Sequence, residues 1–168
     1  ASIAGSCSAT AATSATLSQS AVADQTYTTI KGRGVVRIGV NLGGLPFGTY
    51  ATGTQRPIGF AVELAEDIGN KLGVRTEVVP VVAANRAVFL QQGKVDLLIA
   101  NMEWTAERGQ QLGFVPTPFY RVGGTAAVLK DSKIKPKVPE DLCGLKVGLE
   151  KGTTWVAQFN KLSVDYCV

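Results

Sequence analysis

The chain has 168 residues, of which 45% are apolar and 18% are charged. This length and apolar content suit one domain with a buried core, and they exclude collagen-like and broadly disordered chains. Because the sequence contains no histidine, His-based catalytic triads and His zinc sites are excluded as well. The net charge of +4 comes from scattered Lys and Arg residues, a pattern that favours a solvated basic surface over a nucleic-acid partner.

Residues 1–27 are dominated by Ala, Ser and Thr, and Asp24 is the only charged side chain among them. Such a segment has too little large apolar surface to offset the entropy lost on ordering, so we predict a flexible tail. No charged region followed by an apolar one precedes it, as expected when a signal peptide has been removed. The chain also contains no run of about 18 apolar residues, the length that a transmembrane helix requires.

Cys7 lies in the sequence Ala4-Gly5-Ser6-Cys7 of this tail. The four residues resemble a bacterial lipobox, and the resemblance implies that Cys7 carries a lipid anchor. Ala4 stands where such a motif usually has Leu, so an unmodified Cys7 is the alternative.

The chain after the tail begins with a strand pattern followed by a helix pattern. Residues 35–40 are short, β-branched and bounded by glycine, as in a buried strand, and the turn-rich residues 41–56 follow as a loop. A helix that ends before Gly73 is then predicted by apolar residues spaced four apart. These are Phe60, Leu64, Ile68 and Leu72.

Two further strands are predicted over residues 76–82 and 95–100. Between them lies a short helix that Asn85 can cap, and Thr105 can cap a later helical turn that carries Arg108. Strands and helices thus alternate three times, which predicts a mostly parallel sheet with helices on its faces.

A second strand-loop-helix unit follows after two prolines break the chain. Residues 125–129 are predicted to form a strand, and the charged, proline-containing residues 130–141 a connector. The second unit comprises a strand over residues 145–149, a loop over residues 150–154 and a helix over residues 155–162.

Cys143 and Cys167 enclose a loop of about 25 residues, and a bridge between them would stabilise the fold by about 3 kcal/mol in the chain-entropy model. Such a bridge would imply an oxidising compartment. Two unrelated buried thiols are the alternative that the residues alone leave open. Because no Cys-x-x-Cys pair occurs, a four-cysteine zinc site is excluded.

Ligands of open α/β sheets bind beyond the carboxyl ends of the strands. Three loops have that position, namely residues 41–50, 101–105 and 151–154. A helix start presents unpaired N–H groups that favour a carboxylate or phosphate, and Arg108 can clamp a planar carboxylate with two hydrogen bonds. An ordinary surface ion pair of Arg108 with Glu103 or Glu107 is the alternative.

Several segments follow one another with a familiar spacing. They are Val36-Arg37-Ile38-Gly39-Val40, Pro46-Phe47, Ile58-Gly59-Phe60-Ala61-Val62-Glu63-Leu64-Ala65, Gln92-Gly93-Lys94-Val95-Asp96-Leu97-Leu98-Ile99-Ala100, Thr105-Ala106-Glu107-Arg108, and Leu145-Lys146-Val147-Gly148 with Lys151-Gly152-Thr153-Thr154. Together they closely resemble the periplasmic solute-binding proteins for polar amino acids, the extracytoplasmic receptors of ABC importers. The resemblance covers residues 33–160 and implies the α/β, periplasmic-binding-protein type II fold, with one nearly complete lobe, a parallel-rich sheet and the start of a second lobe.

The resemblance also implies how the chain divides. The predicted parts are a tail (residues 1–27), lobe one (residues 28–122), a hinge and connector (residues 123–141) and an incomplete beginning of lobe two (residues 142–168). Members of the family run considerably further, so lobe two looks truncated. A partner segment, an exchange of segments between two copies in a dimer, or a longer parent chain can supply what is missing.

In that family two lobes close on an amino acid, and the arginine of a Thr-x-x-Arg turn holds its α-carboxylate. Arg108 has this place here. The other ligand-binding positions implied by the resemblance are Asn101, Glu103, Thr153 and Thr154. Cys143 and Cys167 look like the lobe-two disulfide of some members. The resemblance implies no metal, no cofactor and no catalytic residue.

Glu103 is a departure from the family pattern, because a Ser or Thr usually donates to the ligand carboxylate from this position. A carboxylate at this position would repel the ligand carboxylate. Glu103 therefore turns away, pairs with Arg108, or faces a cationic group of the ligand.

The aromatic residues that usually sandwich the ligand side chain are a second departure, because Gly44 and Ala83 have their places. Phe47 is the candidate replacement, and Tyr50 and Trp104 are further candidates. A role in the core is an equal alternative for each of the three. The identity of the ligand side chain therefore stays open.

The function implied is that of a non-catalytic receptor in the periplasm, or otherwise outside the cytoplasm, that captures an amino acid or similar small carboxylate for an ABC importer. Its partners would be that ligand and a transporter permease, with no nucleic acid. One alternative is a periplasmic cyclohexadienyl-type dehydratase of similar fold, with Glu103 as general acid beside Arg108. Another is a degenerate lobe that binds no ligand and acts as an interaction module.

Overall fold

The computed structural model describes residues 25–167. Cys7 and residues 1–24 of the predicted tail lie outside the described residues. The elements in chain order are α1 (Gln25–Arg33), β1 (Val35–Asn41), β2 (Thr49–Tyr50), β3 (Pro57–Ile58), α2 (Phe60–Leu72), β4 (Arg75–Val81), α3 (Arg86–Gln91), β5 (Leu97–Ile99), α4 (Ala106–Gly109), the 3₁₀ turn η1 (Pro139–Leu142) and α5 (Thr154–Tyr166). Helix α1, which sequence reasoning did not predict, begins within the last residues of the predicted tail.

Three parallel strands form the main sheet in the order β4-β1-β5. Val35 of β1 pairs with Arg75 of β4, and Ile38 of β1 pairs with Leu97 of β5. The connections through α2 and α3 are those of a strand-helix-strand fold. The predicted parallel sheet is therefore present, and its carboxyl ends all lie at one edge.

The central strand β1 is covered on both faces. Three of its side chains, spaced two apart as a pleated strand requires, are fully buried on one face: Val36, Ile38 and Val40. They share one apolar cluster with residues of α1 and α2, namely Ile30, Ala61, Val62 and Ala65. On the other face Gly39 leaves room for Leu98, whose δ-carbon would lie 2.6 Å from an added Cβ.

Helix α2 ends as the sequence predicted. Gly73 adopts the left-handed conformation, with φ at 64°, and forms the C-terminal cap. The helix packs closely on β4 at Gly69, where the Thr76 side chain fills the space of the missing Cβ. The Thr76 hydroxyl donates to the Ala65 carbonyl at 3.2 Å, so this contact ties helix to sheet.

The amino end of β5 is held to β1 by Asp96. Its carboxylate accepts from the backbone N–H of Arg37 at 2.8 Å, from Arg37 Nη2 at 3.1 Å and from Arg33. Burial by itself raises the pKa of Asp96, but the hydrogen bonds from Arg37 and the charges of Arg37 and Arg33 outweigh it. The pKa of Asp96 is therefore lowered, which favours the charged carboxylate in the folded protein.

Two local predictions in this lobe need correction. Strand β5 is shorter than the predicted residues 95–100. Asn85 stands at the start of α3, but its side chain does not cap the helix; it accepts from the Val82 N–H at 2.9 Å. The Asn85 side-chain oxygen is engaged within the tight turn over residues 82–85, which the Asn85 N–H also closes by donating to the Val82 carbonyl at 3.1 Å.

The predicted strands over residues 125–129 and 145–149 are not formed; both segments are described as non-regular chain. A strand needs a neighbour for its N–H and C=O groups, and no other strand within residues 113–167 is there to pair with them. The helix of the second unit is present and longer than predicted, spanning Thr154–Tyr166.

A disulfide joins Cys143 to Cys167, with the two Cα atoms 5.2 Å apart. It ties the end of η1 to the end of α5, and it confirms the pairing implied by the family resemblance. Of the helices within residues 25–167, none combines the length and the apolar character that crossing a membrane requires.

Candidate functional site

The loop after β1, the loop after β5 and the loop that precedes α5 meet at the carboxyl edge of the sheet, as the sequence predicted. A cleft of about 390 Å³ opens there. Its lining includes Asn41, Gly43, Gly44, Phe47, Asn101 and Glu150. Glu150 belongs to the second unit, so the cleft lies between the first lobe and the loop that precedes α5.

Arg108 is positioned by the helical turn that Thr105 starts. The Thr105 hydroxyl accepts from the Arg108 N–H at 3.1 Å and so caps α4, as predicted. The guanidinium donates from Nη1 to the Glu103 carbonyl at 2.9 Å and from Nη2 to the Gly152 carbonyl at 3.0 Å. No ion pair of Arg108 with Glu103 or Glu107 occurs in the described part of the chain.

Arg86, at the start of α3, is a second arginine of this site. Its side chain is buried, with the residue only 3% exposed. It donates from Nη1 to the Ala100 carbonyl at 2.5 Å and the Asn101 carbonyl at 3.0 Å, and from Nη2 to the Gly152 carbonyl at 3.2 Å. Burial lowers the pKa of Arg86, and the nearby charge of Arg108 lowers it further.

Asn101 follows β5 and adopts a left-handed conformation, with φ at 54°. Its backbone carbonyl is turned toward Arg86, and its side-chain oxygen is buried without a hydrogen-bond partner among the described residues. Such a conformation is rare for a residue other than glycine and is common at binding sites.

Gly152 brings the second unit onto the first lobe. Its φ is +86°, and an added Cβ would lie 2.4 Å from the Ala83 carbonyl oxygen. Only glycine permits this close approach of two backbones. The approach places the Gly152 carbonyl oxygen between the two guanidinium groups.

Glu103 and Thr154 form a second link between the two units. The Thr154 hydroxyl donates to the Glu103 carboxylate, and this carboxylate forms no ion pair with Arg108 among the described residues. The Thr153 hydroxyl instead donates to the Glu150 carbonyl at 2.7 Å, within its own loop. The structure thus brings Arg108, Glu103 and Thr154 together, whereas the Thr153 hydroxyl is engaged away from them.

Phe47 is half-buried and contributes to the cleft wall. Its ring lies 4.7 Å from the Tyr120 ring and 6.5 Å from the Phe60 ring, centroid to centroid. Trp104 is 66% exposed. Of the three aromatic candidates, Phe47 lines the cleft, whereas Tyr50 and Trp104 do not. Phe47 also belongs to an aromatic cluster.

Sequence reasoning missed Arg86, Tyr120 and Glu150. Arg86 had a signal: it is a charged residue at the start of a predicted short helix whose next four residues, 87–90, are all apolar. No sequence signal predicted the hydrogen bond from Arg86 to the Gly152 carbonyl, which lies 66 residues further along the chain. No group of three or more potential metal ligands occurs within residues 25–167.

Comparison with known proteins identifies the family to which the chain belongs. Residues 36–164 match the family model of bacterial extracellular solute-binding proteins, family 3. The L-cystine-binding protein TcyJ of Escherichia coli K12 is 30% identical over 139 residues, which are 81% of this chain and 51% of that protein. Membrane-bound lytic murein transglycosylase F of Aeromonas hydrophila is 33% identical over 138 residues, which are 82% of this chain and 27% of that protein. The chain therefore spans at most about half the length of these two relatives.

Solved structures of similar fold also come from a binding protein. The arginine-bound form of a truncated ArgBP from T. maritima has a TM-score of 0.76 and 31% identity, covering 83% of this chain and 64% of that one. An arginine-bound form of domain 1 of the same protein has a TM-score of 0.53 and 30% identity, covering 58% of this chain and 74% of that one. These similarities confirm the predicted α/β fold of a periplasmic binding protein with a partial second lobe. The chain belongs to the bacterial extracellular solute-binding proteins of family 3.

Proposed function

We propose that this chain captures an amino acid or a similar small carboxylate outside the cytoplasm for an ABC importer, and that it has no catalytic role. The observation that carries the proposal is Arg108, whose guanidinium is fixed by a capped turn at the carboxyl edge of the sheet. A guanidinium at this position suits the planar geometry of a carboxylate. Membership in the family and the names of the binding proteins among the relatives support it.

We also propose that the chain divides in the manner of a receptor of two lobes. Residues 28–122 would act as lobe one, residues 123–141 as hinge and connector, and residues 142–168 as the part of lobe two present here. Closure of the Gly152 loop onto lobe one would remove water from around Arg108 and strengthen its contact with an anion. A permease would recognise the closed form.

Ligand capture is tested by calorimetric titration of the full chain with L-arginine and L-cystine, which the names of the reported relatives suggest, and with L-glutamine as a neutral amino acid. At a concentration 100 times its Kd, a true ligand adds about 2.7 kcal/mol to the free energy of unfolding. The same samples should therefore unfold at a higher temperature than the chain without ligand. Arg108→Gln should abolish both effects. The matched control is Arg75→Gln, because Arg75 is exposed and lies on β4 away from the cleft.

Glu103 supplies a test of ligand class. If its carboxylate faces a cationic group of the ligand, Glu103→Thr weakens L-arginine binding and spares L-glutamine binding. Equal effects on both amino acids would contradict this role. Thr154→Val is the companion variant, because it removes the hydroxyl that holds the Glu103 carboxylate.

One observation favours a second candidate, an interaction module. Residues 123–129 and 145–149 form no regular secondary structure and have no strand partners within residues 113–167, and Leu145, Val147 and Leu149 are 37–41% exposed. A second copy or another chain can supply those partners. A stable dimer in light scattering, together with no response to any amino acid, would support this candidate over capture.

A further inference from the structure

Residues 128–138 form a basic segment within the predicted hinge and connector. Four of its residues are lysines, and with Asp131 among them they give residues 130–137 a net charge of +3, against +4 for the whole chain. None of these lysines forms an ion pair in the described part of the chain, although Glu140 and Asp141 follow the segment closely. All four are exposed, and they are Lys130, Lys133, Lys135 and Lys137.

Hydrogen bonds fold the basic segment into a compact loop. Lys135 Nζ donates to the Lys130 carbonyl at 3.1 Å. Beyond the segment, the Asp141 carboxylate accepts from the backbone N–H of Lys137 at 2.8 Å and of Val138 at 3.2 Å. This carboxylate is therefore held on the backbone and not on a lysine ammonium group, and the positive charges lie together on one short loop.

Large apolar side chains are exposed among the lysines. Leu129 is 84% exposed, Ile134 46% and Val138 50%. Leu129 also borders an open depression of about 590 Å³ that residues 128–132 line. The basic segment therefore presents charge and apolar surface side by side, and water is a good solvent for the charge only.

An anionic lipid bilayer suits this combination. A lysine close to such a surface strengthens binding about fivefold, and apolar side chains enter the boundary between the head groups and the acyl chains. A nucleic acid or another polyanion offers negative charge to the lysines but no apolar layer to Leu129 and Ile134. The exposed apolar side chains therefore favour lipid over an acidic polymer.

We propose that the basic segment is a docking surface for an anionic lipid bilayer, with its lysines over the head groups and Leu129 inserted between them. The contact does not depend on the proposed function, because the segment supplies no residue to the cleft. Its consequence for a receptor does rest on that function: a chain held at the membrane is concentrated near the permease that receives its ligand.

The first experiment measures sedimentation of the full wild-type chain, with a mass that shows no lipid on Cys7, together with vesicles. One set of vesicles is phosphatidylcholine alone, and the other contains about one third phosphatidylglycerol. We expect the chain to sediment with the anionic vesicles only. It should leave them as sodium chloride rises from about 0.01 M to about 0.5 M, because salt screens surface charges. Equal binding to both sets, or no binding to the anionic set, would overturn the inference.

The second experiment separates the basic segment from the charge of the chain as a whole. Replacing the four lysines by Gln should lower the partition coefficient for anionic vesicles at least about tenfold. The matched control replaces four exposed cationic residues outside the segment, so its net charge is the same, and it should lose less than about threefold. These substitutions are Arg56→Gln, Lys71→Gln, Arg75→Gln and Lys94→Gln. Equal losses in the two variants would show that overall charge alone attracts the chain.

Replacing the four lysines by Arg guards against a purely structural effect. Because Arg keeps the positive charge, this variant should bind anionic vesicles as well as wild type does. A loss as large as that of the Gln variant would mean that the lysines act through the shape of the loop, and it would overturn the inference.

The third experiment tests whether lipid, and not an acidic polymer, is the partner. Leu129→Ser should lower the partition coefficient about threefold, because an apolar side chain no longer enters the bilayer. Val115→Ser is the control, since Val115 is 79% exposed but lies outside the basic segment, and it should have no effect. Equal binding of Leu129→Ser and wild type would show that charge acts alone, and the surface would then suit an acidic protein or polymer instead of lipid.

Discussion

Strand β1 and residues 145–149 carry nearly the same alternating pattern but differ in structure. In β1 the residues Val36, Ile38 and Val40 are each 0% exposed, between two paired neighbours. In the second segment Leu145, Val147 and Leu149 are 37%, 41% and 38% exposed, and no strand forms. An alternating apolar pattern therefore forms a strand only where neighbouring strands can pair with it, because an extended chain cannot satisfy its own backbone N–H and C=O groups. In β1 the apolar side chains are also covered by helices α1 and α2.

The same contrast holds for the two regions as wholes. Every buried residue among the described ones precedes Asn101, and residues 101–167 contain none. The first region is held by an apolar cluster, whereas the second is held by the disulfide, by α5 and by a few polar links to the cleft. Mutations should therefore act very differently in the two regions.

The largest contrast is expected between matched core substitutions. Ile38→Ala removes a fully buried side chain and leaves a cavity, which should lower the free energy of unfolding by about 4 kcal/mol. Val147→Ala at the corresponding place in the second unit should change it by less than about 0.5 kcal/mol. Urea unfolding followed by circular dichroism measures both; similar losses would mean that residues 145–149 are packed after all.

Loss of the disulfide should affect the second region alone. Replacing Cys143 and Cys167 by Ser releases a loop with a sequence separation of 24 residues, which costs about 3 kcal/mol in the chain-entropy model. Hydrogen exchange should show α5 losing protection while β1 keeps its own. Faster exchange throughout β1 would contradict the separation of the two regions.

Asp96 should matter in the first region, and its effect depends on pH. Because its pKa in the folded protein is lowered, the charged form contributes stability above the ordinary carboxyl pKa, and this is lost as the pH falls through the folded pKa. Asp96→Asn should therefore cost about 2 kcal/mol at neutral pH, and its difference from wild type should vanish in acid. Glu77→Gln, in a 4.0 Å surface pair with Arg75, is the control and should show neither effect.

The smallest expected effects concern two exposed ion pairs spaced four residues apart. Asp67 and Lys71 on α2 are 3.1 Å apart, and Lys161 and Asp165 on α5 are 2.6 Å apart. An acidic residue placed before the basic one is the better orientation in a helix, so Lys71→Gln should cost about 0.3 kcal/mol and Lys161→Gln less. Thermal unfolding at low and high salt measures both, and a larger loss for Lys161→Gln would reverse the expected order.

Much of the fold could be predicted because its signals are local. The β-branched run of β1, the four-residue spacing in α2, the glycine at the end of that helix and the Thr105 cap all lie within a few residues of the structure they form. The site was predicted less completely. Arg108 and its turn carry a family motif, whereas Arg86 acquires its importance from carbonyl groups 14, 15 and 66 residues away.

The sequence by itself determined the three strands of the main sheet, the helices α2 and α3 between them, the carboxyl edge at which the loops meet and the capped turn that carries Arg108. Only the tertiary structure decided that residues 145–149 stay unpaired, that Arg86 is buried and that the Gly152 carbonyl lies between two arginines. Backbone conformation and helix caps depend on neighbours in the chain. Strand pairing and the compensation of a buried charge depend instead on groups that meet only once the chain has folded.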